Sequence, residues 1–264
     1  MPPLEYIYPA VLVASLIQSL FGVGVLLLGT PWMLMLGMDF TTTLQLLLPI
    51  SLTISLFQLK GCHQHVDRSI LREIIFFCLP AIGVALWMST RWSPPLEIIV
   101  AIIVLTFSLQ DRLDFIRRSL RQLLKFQRAY ITIMGLVHGA SNLGGSMLTA
   151  LAFGKGLDRH ISRATVVAGY TLFAIIQLAV LTLAGDNWQV SKATGVGLML
   201  TGAITFWLTE NYLFPKFDSQ RYRTGLELLL ITTGIILLSN CLLYTSDAAD
   251  EGLGVDLGGR RIIK

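Results

Sequence analysis

Charge is what this chain has least of. Only 14% of its 264 residues are Asp, Glu, Lys or Arg, against 54% hydrophobic, and the mean hydropathy is +0.68. A soluble domain carries about 25% charged residues, so a soluble globular fold is excluded and an integral membrane protein is indicated. Carboxylates are missing from the interior of the apolar runs, since Glu97, Glu210 and Glu227 sit near run ends. That argues against ion coupling through an intramembrane carboxylate. Glu5 is the only charge before Asp39, so the basic n-region of a secretory signal is absent and the first apolar segment must drive insertion itself. Three cysteines, Cys62, Cys78 and Cys241, give neither a disulfide framework nor a paired zinc motif. The period-two alternation of a membrane barrel is missing. So are metalloprotease, nucleophile-elbow and P-loop motifs. Catalysis is therefore not expected, nor a cofactor, a bound metal or a nucleic-acid partner.

What the chain does have is a series of apolar runs, at 6–38, 41–59, 73–90, 96–110, 129–156, 162–183, 193–208 and 225–240. Many approach the ~20 residues that a helix needs to span a ~30 Å hydrocarbon core. Two runs are interrupted. The first contains Phe21-Gly22-Val23-Gly24 and then Leu28-Gly29-Thr30. The fifth is broken at His138-Gly139-Ala140-Ser141-Asn142-Leu143-Gly144-Gly145-Ser146. Glycine and small polar residues at that density make a poor continuous helix, so each run reads as two short helices meeting at an irregular tip. Backbone left unpaired at membrane depth must be buried in protein or line a cavity. At the second break, free N–H groups, hydroxyls, an amide and an imidazole gather in one place. That suits a small polar solute, most naturally an anion.

The two breaks recur at an offset of roughly 115 residues, each followed by three apolar spans, as an internal duplication gives. Charge sets the orientation. If both broken runs crossed fully, the basic loops at 60–72 and 111–128 would face the opposite side from those at 155–163 and 216–223, against the positive-inside tendency. If each is re-entrant, all four lie in the cytoplasm, the poorly charged loops at 91–95 and 184–192 lie outside, and the N-terminus is outside. A run of about 33 residues makes ~50 Å of helix, short for two full crossings. The expected fold class is thus all-α integral membrane. It consists of two inverted repeats, each a Gly-broken re-entrant-type helical hairpin plus three transmembrane helices, with the two tips meeting near the midplane. The repeats occupy 1–110 and 129–240, joined by a basic amphipathic linker at 111–128. Pro80 is placed to kink the third run.

The size, the duplicated unit and the run from Gly135 to Ser146 resemble the sulfite exporter TauE/SafE family of permeases over nearly all of residues 1–240. Phe21-Gly22-Val23-Gly24 is a weaker match, because Val25, Leu26 and Leu27 follow where the family usually continues with glycine. The resemblance implies an inner-membrane permease for a small sulfur-containing anion such as sulfite, thiosulfate or an organosulfonate. Residues 241–264 differ in character, being polar, Gly-rich and unpatterned. They resemble a translated sequencing adapter and are set aside from fold reasoning. Without their three basic and four acidic residues the net charge moves from +4 to +5.

The candidate solute-binding residues are Gly22, Gly24, Thr30, His138, Gly139, Ser141, Asn142, Gly144, Gly145 and Ser146. The glycines can expose N–H groups to an anion or let helices approach closely. Gly144 and Gly145 favour the first role. For Thr30 and Ser146, bonding to nearby backbone carbonyls is the simpler expectation. His138 is the one strongly ionisable residue deep in a membrane element. Gln18, Gln45 and Gln177 are expected to bond between helices. Trp32, Trp87, Trp92 and Trp188 read as interfacial anchors. Arg117, Arg118, Arg121 and Lys125 can meet anionic membrane lipids, and a homo-oligomer is compatible with the sequence. The alternative from another class is an intramembrane enzyme or redox/metal-assembly subunit using His138 or the Cys62-His63-Gln64-His65 loop.

Overall fold

A computed structural model describes residues 2–91, 126–185 and 188–216, together with Thr224, Gly225 and Leu228. Among the described residues the chain is helical, with no strand. The elements are α1 (Leu4–Phe21), α2 (Val25–Met35), α3 (Phe40–Cys62), α4 (Arg68–Arg91), α5 (Gln127–Ser141), α6 (Gly144–Gly154), α7 (Arg159–Leu183) and α8 (Lys192–Leu208). A π turn, Thr209–Leu213, prolongs α8. Among the described residues, four helices are long and apolar enough to cross a membrane: Leu4–Phe21, Phe40–His65, Arg68–Arg91 and Arg159–Leu183. The fourth apolar run at 96–110, most of the linker with Arg117, Arg118, Arg121 and Lys125, Trp92, most of the last run, and 241–264 lie outside the described residues.

Both long apolar runs that the glycines interrupt are helix–break–helix, as their composition predicts. The run carrying Pro80 stays continuous, with a π turn at Ile74–Cys78 ending two residues before the proline. Such a turn absorbs the bond that proline cannot make. Matching turns join α2 to α3 and α6 to α7. Asp39 caps α3 by accepting from the Thr42 amide at 2.9 Å, and Asp158 caps α7 by accepting from the His160 amide at 2.7 Å. Capping of this kind is worth about 1 kcal/mol.

Helix packing is reciprocal between the halves. α1 lies against α8 as α5 lies against α4; α3 meets α8 as α7 meets α4; α3 and α7 pack on each other in the centre. The distribution of polarity is that of a membrane protein. Phe57, Phe76, Val84, Trp87, Leu200 and Ile204 are on the outside, while Gln18, Gln45, Gln58, His138, Arg163 and Gln177 are buried. The described parts of the basic loops come to one end of the bundle. There the Asp67 amide donates to Thr165 Oγ1 at 2.9 Å, Arg163 pairs with Glu210, and Gln127 Nε2 donates to Glu73. At the other end Gln45 Oε1 accepts from the Gln189 amide at 2.9 Å.

Candidate solute site at the second helix break

Helix α5 stops at Ser141 because Asn142 turns left-handed, with φ 64°, and its amide closes on His138 O at 2.8 Å. Asn142 is the only non-glycine residue with positive φ among the described residues. Asparagine tolerates that region better than other side-chain-bearing residues. The turn throws its amide across the bundle. Nδ2 donates to Thr30 Oγ1 on α2 at 2.8 Å, and Oδ1 accepts from Gln177 Nε2 on α7 at 3.2 Å. Gln177 Oε1 in turn faces His138 Nε2 at 3.2 Å, which requires the proton to sit on Nε2. All four side chains are fully buried. This relay is the described hydrogen-bond link between the second break and α2 of the other half.

Two polar atoms beside this relay have no partner among the described residues: His138 Nδ1 and the Tyr170 hydroxyl, both on fully buried side chains. The His138 ring lies 4.5 Å from the Phe173 ring and 6.0 Å from Tyr170, centroid to centroid. Tyr170 lies directly over Gly145, so a Cβ at that position would run into its hydroxyl. The Ser146 amide donates to Leu143 O at 3.2 Å, which leaves the amides of Gly144 and Gly145 at the start of α6 to face the break. A hydroxyl and a helix N-terminus with positive partial charge therefore share one dry place and can both donate to a small oxyanion, whereas His138 Nδ1, unprotonated in this tautomer, can only accept.

The first break repeats the same backbone plan with a different filling. Gly22 is left-handed, with φ 81°, and its amide closes on Gln18 O at 2.7 Å. A Cβ on Gly24 would collide with Gln18 and sit 2.7 Å from Ala14 O, just as one on Gly144 would sit 2.5 Å from His138 Cβ and 2.8 Å from Met134 O. Here, however, Gln18 Oε1 accepts from the Val25 amide at 3.1 Å and from Ser51 Oγ at 3.0 Å, while Nε2 donates to Ser51 O at 2.9 Å and Ser55 Oγ at 3.1 Å. A protein oxygen thus occupies the N-terminus of α2, where an anion would sit.

The structure brings together Thr30, His138, Asn142, Gly144 and Gly145. It does not bring Gly22 and Gly24 to them. Gly22 faces Val167 and Arg163 O on α7, whereas Asn142 meets α7 at Gln177, ten residues or roughly 15 Å further along the helix. The tips therefore pass one another instead of converging. The reason is unequal arms: α1 has 18 residues and α2 only 11, so the tip runs deeper than an even division of the run implies. Gly139 packs against α4, where a Cβ would lie 2.5 Å from Ile82 O. Ser141 and Ser146 bond to Val137 O at 2.6 Å and Leu143 O at 2.9 Å. Thr30, expected to satisfy backbone, accepts from Asn142 instead. Gln18, Gln45 and Gln177 all bond beyond their own helix.

Sequence reading passed over Tyr170, Gln58 and Arg163. Arg163 falls at the end of the basic loop expected at 155–163 and at the start of the run expected at 162–183; α7 begins earlier, at Arg159, and Arg163 is only 6% exposed. The available signal was register, since Arg163, Val167, Tyr170, Ala174 and Gln177 follow a helical stripe. Among the described residues no three His, Cys, Asp or Glu side chains are grouped to hold a metal ion; near the Cys62 loop, the His65 ring lies 6.3 Å from that of His160. A family model described as Sulfite exporter TauE/SafE matches residues 7–237. No curated protein and no solved structure matches the chain.

Proposed function

The chain belongs to the sulfite exporter TauE/SafE family of membrane transporters, and from that premise we propose that it is an inner-membrane permease for a small sulfur oxyanion or organosulfonate, bound at the second helix break. The observation that carries the site is the buried relay Thr30–Asn142–Gln177–His138, flanked by the unpartnered Tyr170 hydroxyl and the N-terminus of α6. Buried polar atoms normally have partners, and a bound anion would supply an acceptor for the hydroxyl and for the α6 amides. The family supports the solute class, and the donor set supports its negative charge.

The architecture we propose is a pair of inverted repeats with re-entrant first hairpins. Reciprocal packing supports it, as do the like-built turns before α3 and α7. The gathering of basic loops at one end supports a cytoplasmic orientation for that end and an outside N-terminus. Midplane sites between broken helices of opposed repeats are a recurring transporter design. In this chain the overlap of α2 with α6, rather than the tips, forms the central barrier.

The test is flux of sulfite, thiosulfate and a sulfonate into proteoliposomes. Asn142→Leu and Thr30→Val should each lower solute flux by about tenfold or more while the purified protein remains folded. Undiminished flux in Asn142→Leu removes the second break as the binding site.

A further inference from the structure

We propose that Arg163 forms a second anion-binding site, beside the tip of the first break, and that Glu210 occupies it as a built-in competitor which a small three-oxygen anion displaces. The site is made of residues outside the Asn142 relay; it rests on the permease reading only for the kind of anion expected.

Arg163 is the only Lys or Arg buried among the described residues. Its guanidinium is held on three sides. Nη2 donates to Ser19 O, in the last turn of α1, at 2.7 Å; Nη2 and Nη1 grip the two oxygens of Glu210 at 2.6 and 3.2 Å; and the carbon of the group lies 3.8 Å from the centre of the Phe214 ring. Ser19 O also accepts from Gln58 Nε2 at 3.0 Å, so the cation is fixed against the end of α1 by groups that cannot follow it away. Its Nε–H has no partner among the described residues.

The pair is unequal in a way that matters. The Arg163 side chain is 7% exposed and that of Glu210 is 36% exposed. The cation is anchored in the protein, and the carboxylate comes to it from the accessible side, carried on the π turn that ends α8. A buried arginine stripped of its partner is costly, so the site will not stand empty; something anionic must fill it. A carboxylate supplies two oxygens to the fork and leaves Nε–H unused. Sulfite or a sulfonate presents the same two-oxygen edge to Nη1 and Nη2, so it can take the carboxylate's place there, while Nε–H points away from that edge. Exchange of Glu210 for such an anion frees the π turn from α1 and α7, which ties occupancy of this end to the packing of the first break.

The exchange can be read by thermal unfolding of the full chain in detergent, titrated with sodium sulfite, with sodium chloride at matched ionic strength as reference. Glu210→Gln removes the competitor, and its melting temperature should rise with sulfite at a concentration at least tenfold below that needed by the wild type. Arg163→Lys keeps the charge without the fork and should lose most of that response; this variant covers the case in which Arg163→Gln does not fold. A sulfite titration of Glu210→Gln indistinguishable from wild type overturns the proposal. So does a response that disappears when Asn142→Leu is added to Glu210→Gln, because the anion would then sit at the second break. If transport itself fails in liposomes, the binding response of Glu210→Gln still decides this site on its own.

Discussion

Asn142 combines two tasks that can be separated. Its left-handed backbone ends α5, and its amide joins two helices of different halves. Asn142→Gly preserves the turn and deletes the links, whereas Asn142→Ala also places a methyl group in a conformation that costs about 1–2 kcal/mol. Thermal unfolding should therefore show the alanine variant less stable than the glycine variant by that amount. Both should transport poorly, because the side chain is gone in each. Tyr170 gives the opposite pattern. Its buried hydroxyl has no partner among the described residues, and removing an unsatisfied group costs nothing in stability. Tyr170→Phe should melt at or slightly above the wild-type temperature while its solute flux falls severalfold. Unchanged flux would mean the hydroxyl does not touch solute.

At the scale of the element, α5 depends on glycine for its seat on α4. A Cβ at Gly135 would lie 2.5 Å from Cys78 O, and one at Gly139 2.5 Å from Ile82 O. Backbone atoms cannot rotate out of the way, so the two helices must separate. Gly139→Ala should lower stability by about 1–3 kcal/mol, the usual range for overpacking. Gly61, near the end of α3, has nothing within 4 Å, and Gly61→Ala should instead gain about 0.5–1 kcal/mol through helix propensity. Melting temperatures of the two variants measured side by side check the contrast. An equal effect at both positions would contradict the packing role assigned to Gly139.

For the whole molecule the decisive question is which ends share a face. In a background without Cys62, Cys78 and Cys241, the single replacements Gly61→Cys and Lys155→Cys should be protected from an impermeant maleimide applied outside intact cells. Gly185→Cys should be labelled. Labelling of positions 61 and 185 from the same side would break the inverted arrangement, since α7, long and apolar enough to cross a membrane, lies between 155 and 185.

The composition of the chain, read alone, determined a helical membrane protein, the two glycine breaks and the family, because hydropathy and glycine content act within a few positions of where they stand. It also placed Gln18 and Gln177 between helices correctly, since an amide in an apolar run has few other outlets. Partners and depth were decided only in three dimensions. That Asn142 meets Thr30, that Gly139 packs on α4, that the tips pass each other, and that Arg163 turns inward four residues into α7 all depend on helix lengths and rotations set by packing between the halves. A shift of one residue rotates a side chain by about 100° around a helix, so a charge at the edge of a loop and a charge at the tip of a broken helix look alike until the helices are assembled.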